Sequence, residues 1–339
     1  MSSFSSTSDL GRSLHLKLAG MTLKGRLTTL SKEVASGIKS DIPQAVRGDL
    51  GQVNMLESRI AALQTYQLNA GQAATRFGAM QDSLELVQST VSNMGPELLA
   101  EASSGSVGNL RVRVTEAARS LDTVIATINT TLEGKHLFSG VRPDTPPLIS
   151  RDELLAQVTS AIAGTTTADE IIARVEGWFA ADQTQPGFVR DAYRGSPQGP
   201  SAIPIDDRQE VGSDVNAASS GIKDTIKNLV LITIAADPAQ SLSADDLKRV
   251  ATHAASGMIE ANIGITDLRA GLGVSEQTIA RAQVRNGAES TALNIARNDI
   301  ISADPYETAT ALKETEANLE NIYLLTARLS NMSLANFLK

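Results

Sequence analysis

The side chains best suited to chemistry in this sequence are three histidines, His15, His136 and His253, and two acidic pairs, Asp206-Asp207 and Asp245-Asp246. A metal centre would need such ligands to converge, usually announced by short spacing. The histidines stand more than 100 residues apart, and no second histidine sits at ligand spacing from any of them. His15 lies beside a helical stripe and reads as a solvated or interface residue, as does His253. Cysteine is absent, which excludes disulfides, thiolate zinc, iron–sulfur clusters and thiol catalysis. Asp245-Asp246 reads as first-turn charge opposing a helix dipole, not as a general acid with its base. Neither phosphate-loop glycine pattern occurs, and the nucleophile-elbow pattern is missing. Gly105-Ser106-Val107-Gly108 and Gly271-Leu272-Gly273 are glycine pairs only, the first read as a flexible joint. Trp178, Phe188 and Tyr193 could line a pocket, but without an acid–base or metal set they read as a small aromatic core. The expectation is therefore no enzyme, no metal and no cofactor.

The elements around these residues explain more. The chain has 339 residues, of which 42% are hydrophobic and 3% aromatic. So few aromatics make a thick globular core a poor fit, and the abundant alanine and leucine suit narrow helix-to-helix packing. A formal charge of -8 argues against a nucleic-acid partner. Arg12, Lys17, Lys24, Arg26 and Lys32 are spread along a helix as a solvated face. No apolar run approaches the ~20 residues of a membrane span. The first residues, Ser/Thr-rich, do not look like a Sec-type signal peptide, so composition alone reads as cytoplasmic.

Periodicity is the strongest signal. Leu16, Leu23, Leu27, Leu30 and Val34 step by threes and fours, with Gly20 in the gap, as a heptad-like seam that Ser36-Gly37 and Pro43 interrupt. Leu56, Ile60, Leu63, Gln67, Ala70, Ala74, Phe77, Met80, Leu84, Val87, Val91, Met94 and Leu98 predict a helix of ~45 residues, ~68 Å long at 1.5 Å per residue. Gly95-Pro96 should end or kink it. A third stripe, Val107 to Leu132, predicts one further helix stopped by a C-terminal glycine, Gly134.

Residues 143–204 change character, holding seven of 11 prolines, and four of 11 aromatics lie between Trp178 and Tyr193. They read as a separate unit with a small core, a short helix from Ala168 to Phe179, and an edge strand around Ala202–Ile205 containing Pro204. Helical patterning returns with Ile222, Ile226 and Leu229. After the Asp237-Pro238 break and a cap at Ser243 come Leu247, Val250, Ala254 and Met258, then a further long helix over Ile265–Leu293. Asp304-Pro305 restarts the chain into a terminal amphipathic helix carrying Ala309, Leu312, Leu319, Ile322, Leu325 and Leu329. The expected fold is mainly α: an elongated rod of long antiparallel helices and terminal coiled-coil helices with a small α+β insert. The expected segments are an N-terminal assembly helix (1–43), a first rod half (44–149), a variable insert (150–200), returning strands with the second rod half (201–300), and a C-terminal assembly helix (301–339).

Two stretches resemble the bacterial flagellin superfamily. One runs Tyr306-Glu307-Thr308-Ala309-Thr310-Ala311-Leu312, Leu319, Thr326-Ala327-Arg328-Leu329-Ser330, Ser333-Leu334 and Phe337-Leu338. The other is Val34-Ala35-Ser36-Gly37, similar to a family turn after the first helix, although Lys39-Ser40-Asp41-Ile42-Pro43 departs from the acidic stretch usual there. The resemblance spans most of the chain outside about 150–200. Gly134-Lys135-His136-Leu137-Phe138-Ser139-Gly140 with Asp144-Thr145-Pro146-Pro147-Leu148 resembles the hook–filament junction type within it, Gly134, Phe138, Gly140, Pro146 and Pro147 being the discriminating residues.

The resemblance implies an extracellular structural subunit of the flagellum, exported through the type III apparatus without a cleaved signal. Its termini would fold on assembly, forming a junction layer between hook and filament. The implied partners are other copies, a hook-side adaptor protein, filament flagellin and an export chaperone at the C-terminal helix, with no nucleic acid and no membrane insertion. An isolated amphipathic helix cannot bury its stripe alone, which fits ordering by neighbours. The expected assembly set is Leu16, Leu23, Leu27, Leu30 and Val34 with Leu312, Leu319, Ile322, Leu325 and Leu329. A filament flagellin and a cytosolic coiled-coil adaptor are the alternatives.

Overall fold

The computed structural model describes residues 3–337, with side chains over residues 11–329. It is mainly α, built from long helices and two very small sheets. In chain order the elements are α1 (Ser3–Ser36), α2 (Ile42–Ala45), α3 (Gly51–Val91), α4 (Met94–Ser104), α5 (Val107–Ala118) and α6 (Ser120–Ile128). The hairpin β1 (Thr131–Leu132) and β2 (Lys135–His136) follows, then α7 (Arg151–Ala161) and α8 (Ala168–Ala180). β3 (Ile203–Pro204) and β4 (Glu210–Val211) precede α9 (Ser220–Ala236), α10 (Ala244–Ile301) and α11 (Pro305–Phe337). The chain forms two compact units, one of residues 1–64 with 288–339 and one of residues 65–287.

In the first unit α1 packs on α11. Gly20 lies beside Ile322 and Gly37 is hydrogen-bonded to Ala303, so the two helices run antiparallel. The connectors at their base are stitched together: Lys39 donates to the Ile301 carbonyl at 2.9 Å, and Ala303 donates to that of Gly37 at 2.9 Å. Gly37, at φ +68°, takes the left-handed position that ends α1. Asp304 caps α11 by accepting from the Tyr306 and Glu307 amides at 2.8 and 2.9 Å, and Pro305 starts the helix where no donor is needed.

The second unit is one continuous apolar cluster reaching from Ala70 to Ala282. Within this unit, α3 lies antiparallel to α10, and Arg269 ties them. Its guanidinium donates to Gln81 and Gln88 and pairs with Glu85 at 3.1 Å, while Gln81 donates to the Arg269 carbonyl at 2.7 Å. Gly95 brings α4 against α10; a Cβ there would stand 2.8 Å from the Ala255 carbonyl oxygen.

Several expectations are refined. The break after the second stripe falls between Val91 and Met94, so Pro96 occupies the first turn of α4 instead of kinking a longer helix. The third stripe is two helices, α5 and α6, meeting at Arg119. Gly134 is not a helix stop: Glu133 (φ 52°) and Gly134 (φ +77°) form the two-residue turn joining β1 to β2, a geometry that requires positive φ at both positions. The stripes at 247–258 and 265–293 belong to the single 58-residue helix α10. Ser243 caps it, accepting from the Asp246 amide at 3.1 Å. α8 and the 203–204 strand stand where the sequence puts them; α7, with a capping box on Ser150 and Glu153, is additional. The aromatics of 178–193 join the cluster of the surrounding helices and enclose no core of their own. Trp178 meets Phe179 edge-on at 5.0 Å, and Phe179 stacks on Phe188 at 5.1 Å.

Candidate assembly surface

α1 and α11 bring the two halves of the expected set onto one antiparallel helix pair. Leu30 is buried; Leu16, Leu23, Leu27, Leu312, Leu319, Ile322 and Leu329 are half-buried. Val34 and Leu325 remain exposed. Part of the seam is thus covered within one chain, and the coverage stops short of closing it. A two-helix pair can shield only one face of each member.

A second stripe escaped the sequence reading. Leu14 is 58% exposed, Leu18 54% and Met21 64%, and Leu324 on the partner helix is 55% exposed. Tyr306 and Tyr323 are exposed as well, Tyr323 under the Lys24 ammonium at 5.8 Å from the ring centre. The steps Leu14, Leu18, Met21 are a four and a three, beside the Leu16–Leu23 seam. Together they widen the apolar face beyond what one partner helix can cover, and that width was the readable signal.

The 134–148 segment lies in the 65–287 unit and is locked by hydrogen bonds. The Asn129 side chain binds Leu148 twice, donating to its carbonyl at 3.0 Å and accepting from its amide at 2.9 Å. The Asn129 carbonyl contacts His136 Nδ1 at 2.8 Å, so His136 is held as part of the hairpin. Phe138 is fully buried, and its carbonyl accepts from Ala217 at 3.0 Å. Gly140, at φ +64°, faces the Ser196 and Gln198 carbonyl oxygens, where a Cβ would collide. Pro147 is buried and Pro146 exposed.

The remaining candidates fall into structural roles. Asp246, in the first turn of α10, accepts from Ser243 at 2.6 Å and from the Ala168 amide at the start of α8 at 3.1 Å. These two bonds, the hydroxyl first, hold its carboxyl below the usual aspartate range. Asp206 pairs with Arg285. His253 contacts Glu176 at 2.9 Å across α10 and α8, and His15 is exposed. Trp178, Phe188 and Tyr193 are buried, as a core requires. Among the described residues no group of three or more His, Asp or Glu could hold a metal ion, and no helix is long and apolar enough to cross a membrane.

No family model matches the sequence, and no curated protein does. The fold is similar to that of a candidate flagellar hook-associated protein from Vibrio parahaemolyticus, with a TM-score of 0.51 and 12% identity over 73% of this chain and 95% of that one. At that identity the likeness is one of fold: a mainly α chain of long helices shared with a protein described as hook-associated.

Proposed function

We propose that this chain is a structural subunit of the bacterial flagellum that forms the layer between hook and filament, polymerising through α1 and α11. The observation that carries the reading is the incompletely covered apolar face of that helix pair, with Leu14, Leu18, Met21 and Leu324 open to solvent. Burying such a face contributes roughly 25 cal/mol per Å², and neighbouring copies supply the missing surface. A heterologous contact of this kind propagates into a tube instead of closing as a dimer. The fold shared with a hook-associated protein supports the flagellar setting, and the sequence resemblance of the 134–148 segment favours the junction over the filament. The partners are then other copies, a hook-side adaptor and filament flagellin, and the location is extracellular after type III export without a cleaved signal. Before export, the open face of α11 suits a chaperone.

Immunogold labelling of isolated flagella tests the reading, with an antibody to residues 150–200. A single cluster of gold where hook meets filament is the expected result. Label along the filament would make the chain a flagellin, and antigen found only in the cytosol would leave a coiled-coil adaptor.

A further inference from the structure

A groove of about 810 Å³ opens in the 65–287 unit between α3 and the β1–β2 hairpin with the loop that follows it, rimmed by Pro200–Ile203. Its α3 wall carries Leu68, Gly71 and Arg76. Arg76 is half-buried, and burial lowers its pKa from the ordinary arginine value. Elsewhere on α3 and α10, Arg59, Arg269 and Arg285 each hold a carboxylate, Glu289, Glu85 and Asp206. Arg76 has no such partner among the described residues. A dehydrated, uncompensated guanidinium is costly, and an arriving carboxylate would recover that cost. With Arg76, Lys135 lines the same groove against one acid, Glu133, so the balance there is cationic.

The α3 wall is open as well as cationic. Leu68 is 69% exposed, and a Cβ on Gly71 would meet nothing within 4 Å. Glycine inside a helix costs about 1 kcal/mol against alanine, and no contact within the chain requires it here. The space is large compared with the ~30 Å³ share of one water, so it fits a stretch of polypeptide better than a lone ion.

We propose that this groove receives a carboxylate-bearing surface segment of a second copy of this chain, with Arg76 as its ion-pair partner and Leu68 as its apolar contact. Charge supplies the complementarity: with 38 Asp and Glu against 30 Lys and Arg, carboxylates are the commoner charge that a second copy can offer to a cationic groove. The inference rests on the self-assembly proposed above and adds a contact outside α1 and α11.

The test uses the full-length chain under assembling conditions. A photo-crosslinking amino acid at Leu68 should join two copies, and mass spectrometry should place the link next to an Asp or Glu. Arg76→Gln should weaken self-association by roughly tenfold in sedimentation, with thermal unfolding not lowered, since a costly unpaired charge is removed, and with partial rescue by Arg76→Lys. Gly71→Trp, which fills the groove from a helical position, should weaken it similarly. If the wild type assembles and these variants assemble equally well, or the Leu68 probe links no second copy, the groove contact is wrong while assembly through the terminal helices stands. Capture of a different protein at Leu68 would overturn the second copy as occupant. A wild type that stays monomeric at every concentration would overturn both readings.

Discussion

Gly221 and Gly264 meet backbone to backbone where α9 packs on α10: a Cβ on Gly221 would lie 2.5 Å from the Gly264 carbonyl carbon. No side chain fits between them, so the helices approach as closely as their backbones allow. Gly221→Ala should therefore destabilise the 65–287 unit by about 1–3 kcal/mol through overpacking, despite alanine's better helix propensity. Gly71→Ala is the counterpart, since its Cβ would stand in open space. There the propensity gain should appear unopposed, as about 0.5–1 kcal/mol of added stability. Urea unfolding of both variants checks the pair, and equal effects would contradict the close crossing.

Asp246 links the starts of α8 and α10, and its depressed pKa gives this junction an acid sensitivity. A carboxylate with a folded pKa below its unfolded value of about 3.9 contributes stability that is fully present above that value. The contribution is lost as pH falls through the lower folded value. Wild-type stability should thus drop between about pH 4 and the folded pKa, and Asp246→Asn should flatten that part of the curve. Thermal unfolding from pH 7 down to pH 2.5 measures it; an unchanged slope in the variant would remove Asp246 as the cause.

How much of this was legible depends on how local the determinant is. Periodicity located the long helices because a stripe such as Leu56 to Val91 is a property of one element. Ser243, Asp304 and Gly37 were readable because caps and stops use residues next to the helix end. Gly134 misled because a glycine after an apolar stripe suits a helix stop and a hairpin turn alike; only Glu133 at positive φ separates them. The 178–193 aromatics suggested a separate core because composition cannot show that neighbouring helices share it. The free face of α1 was missed because Leu14, Leu18 and Met21 flank the seam, and only the pairing of α1 with α11 shows which stripe stays uncovered. Arg76 lacks any sequence signature, since the want of a carboxylate partner among the described residues depends on groups distant in the chain.

Gly140 marks where the 134–148 segment is pinned to the Ser196–Gln198 backbone. Its φ of +64° and the nearby carbonyl oxygens leave no space for a side chain. Gly140→Ala should cost on the order of 2 kcal/mol or more, combining left-handed strain with overpacking. Amide exchange should rise for Ser196, which donates to the Ser139 carbonyl at 3.0 Å, and for Ala217, which donates to that of Phe138. Protection unchanged at both amides would show that the segment is held by other contacts.

Leu319 and Leu324 separate pairing within the chain from assembly between chains. Leu319 is half-buried on α11, whereas Leu324 is 55% exposed. Leu319→Asp puts a carboxylate into the seam, an uncompensated charge that should loosen α11 from α1. Leu324→Asp charges only the open face, so the helix pair should persist. If that face is where neighbouring copies bind, both variants should fail to polymerise, yet only Leu319→Asp should lose helical circular dichroism. Thermal unfolding of the 65–287 unit should be unaffected in both. On the flagellar role proposed above, cells carrying either variant as their sole copy should lose normal motility through the assembly defect. Polymerisation of Leu324→Asp at the wild-type rate would show that the exposed stripe is ordinary surface, and the assembly contact would have to be sought elsewhere on the chain.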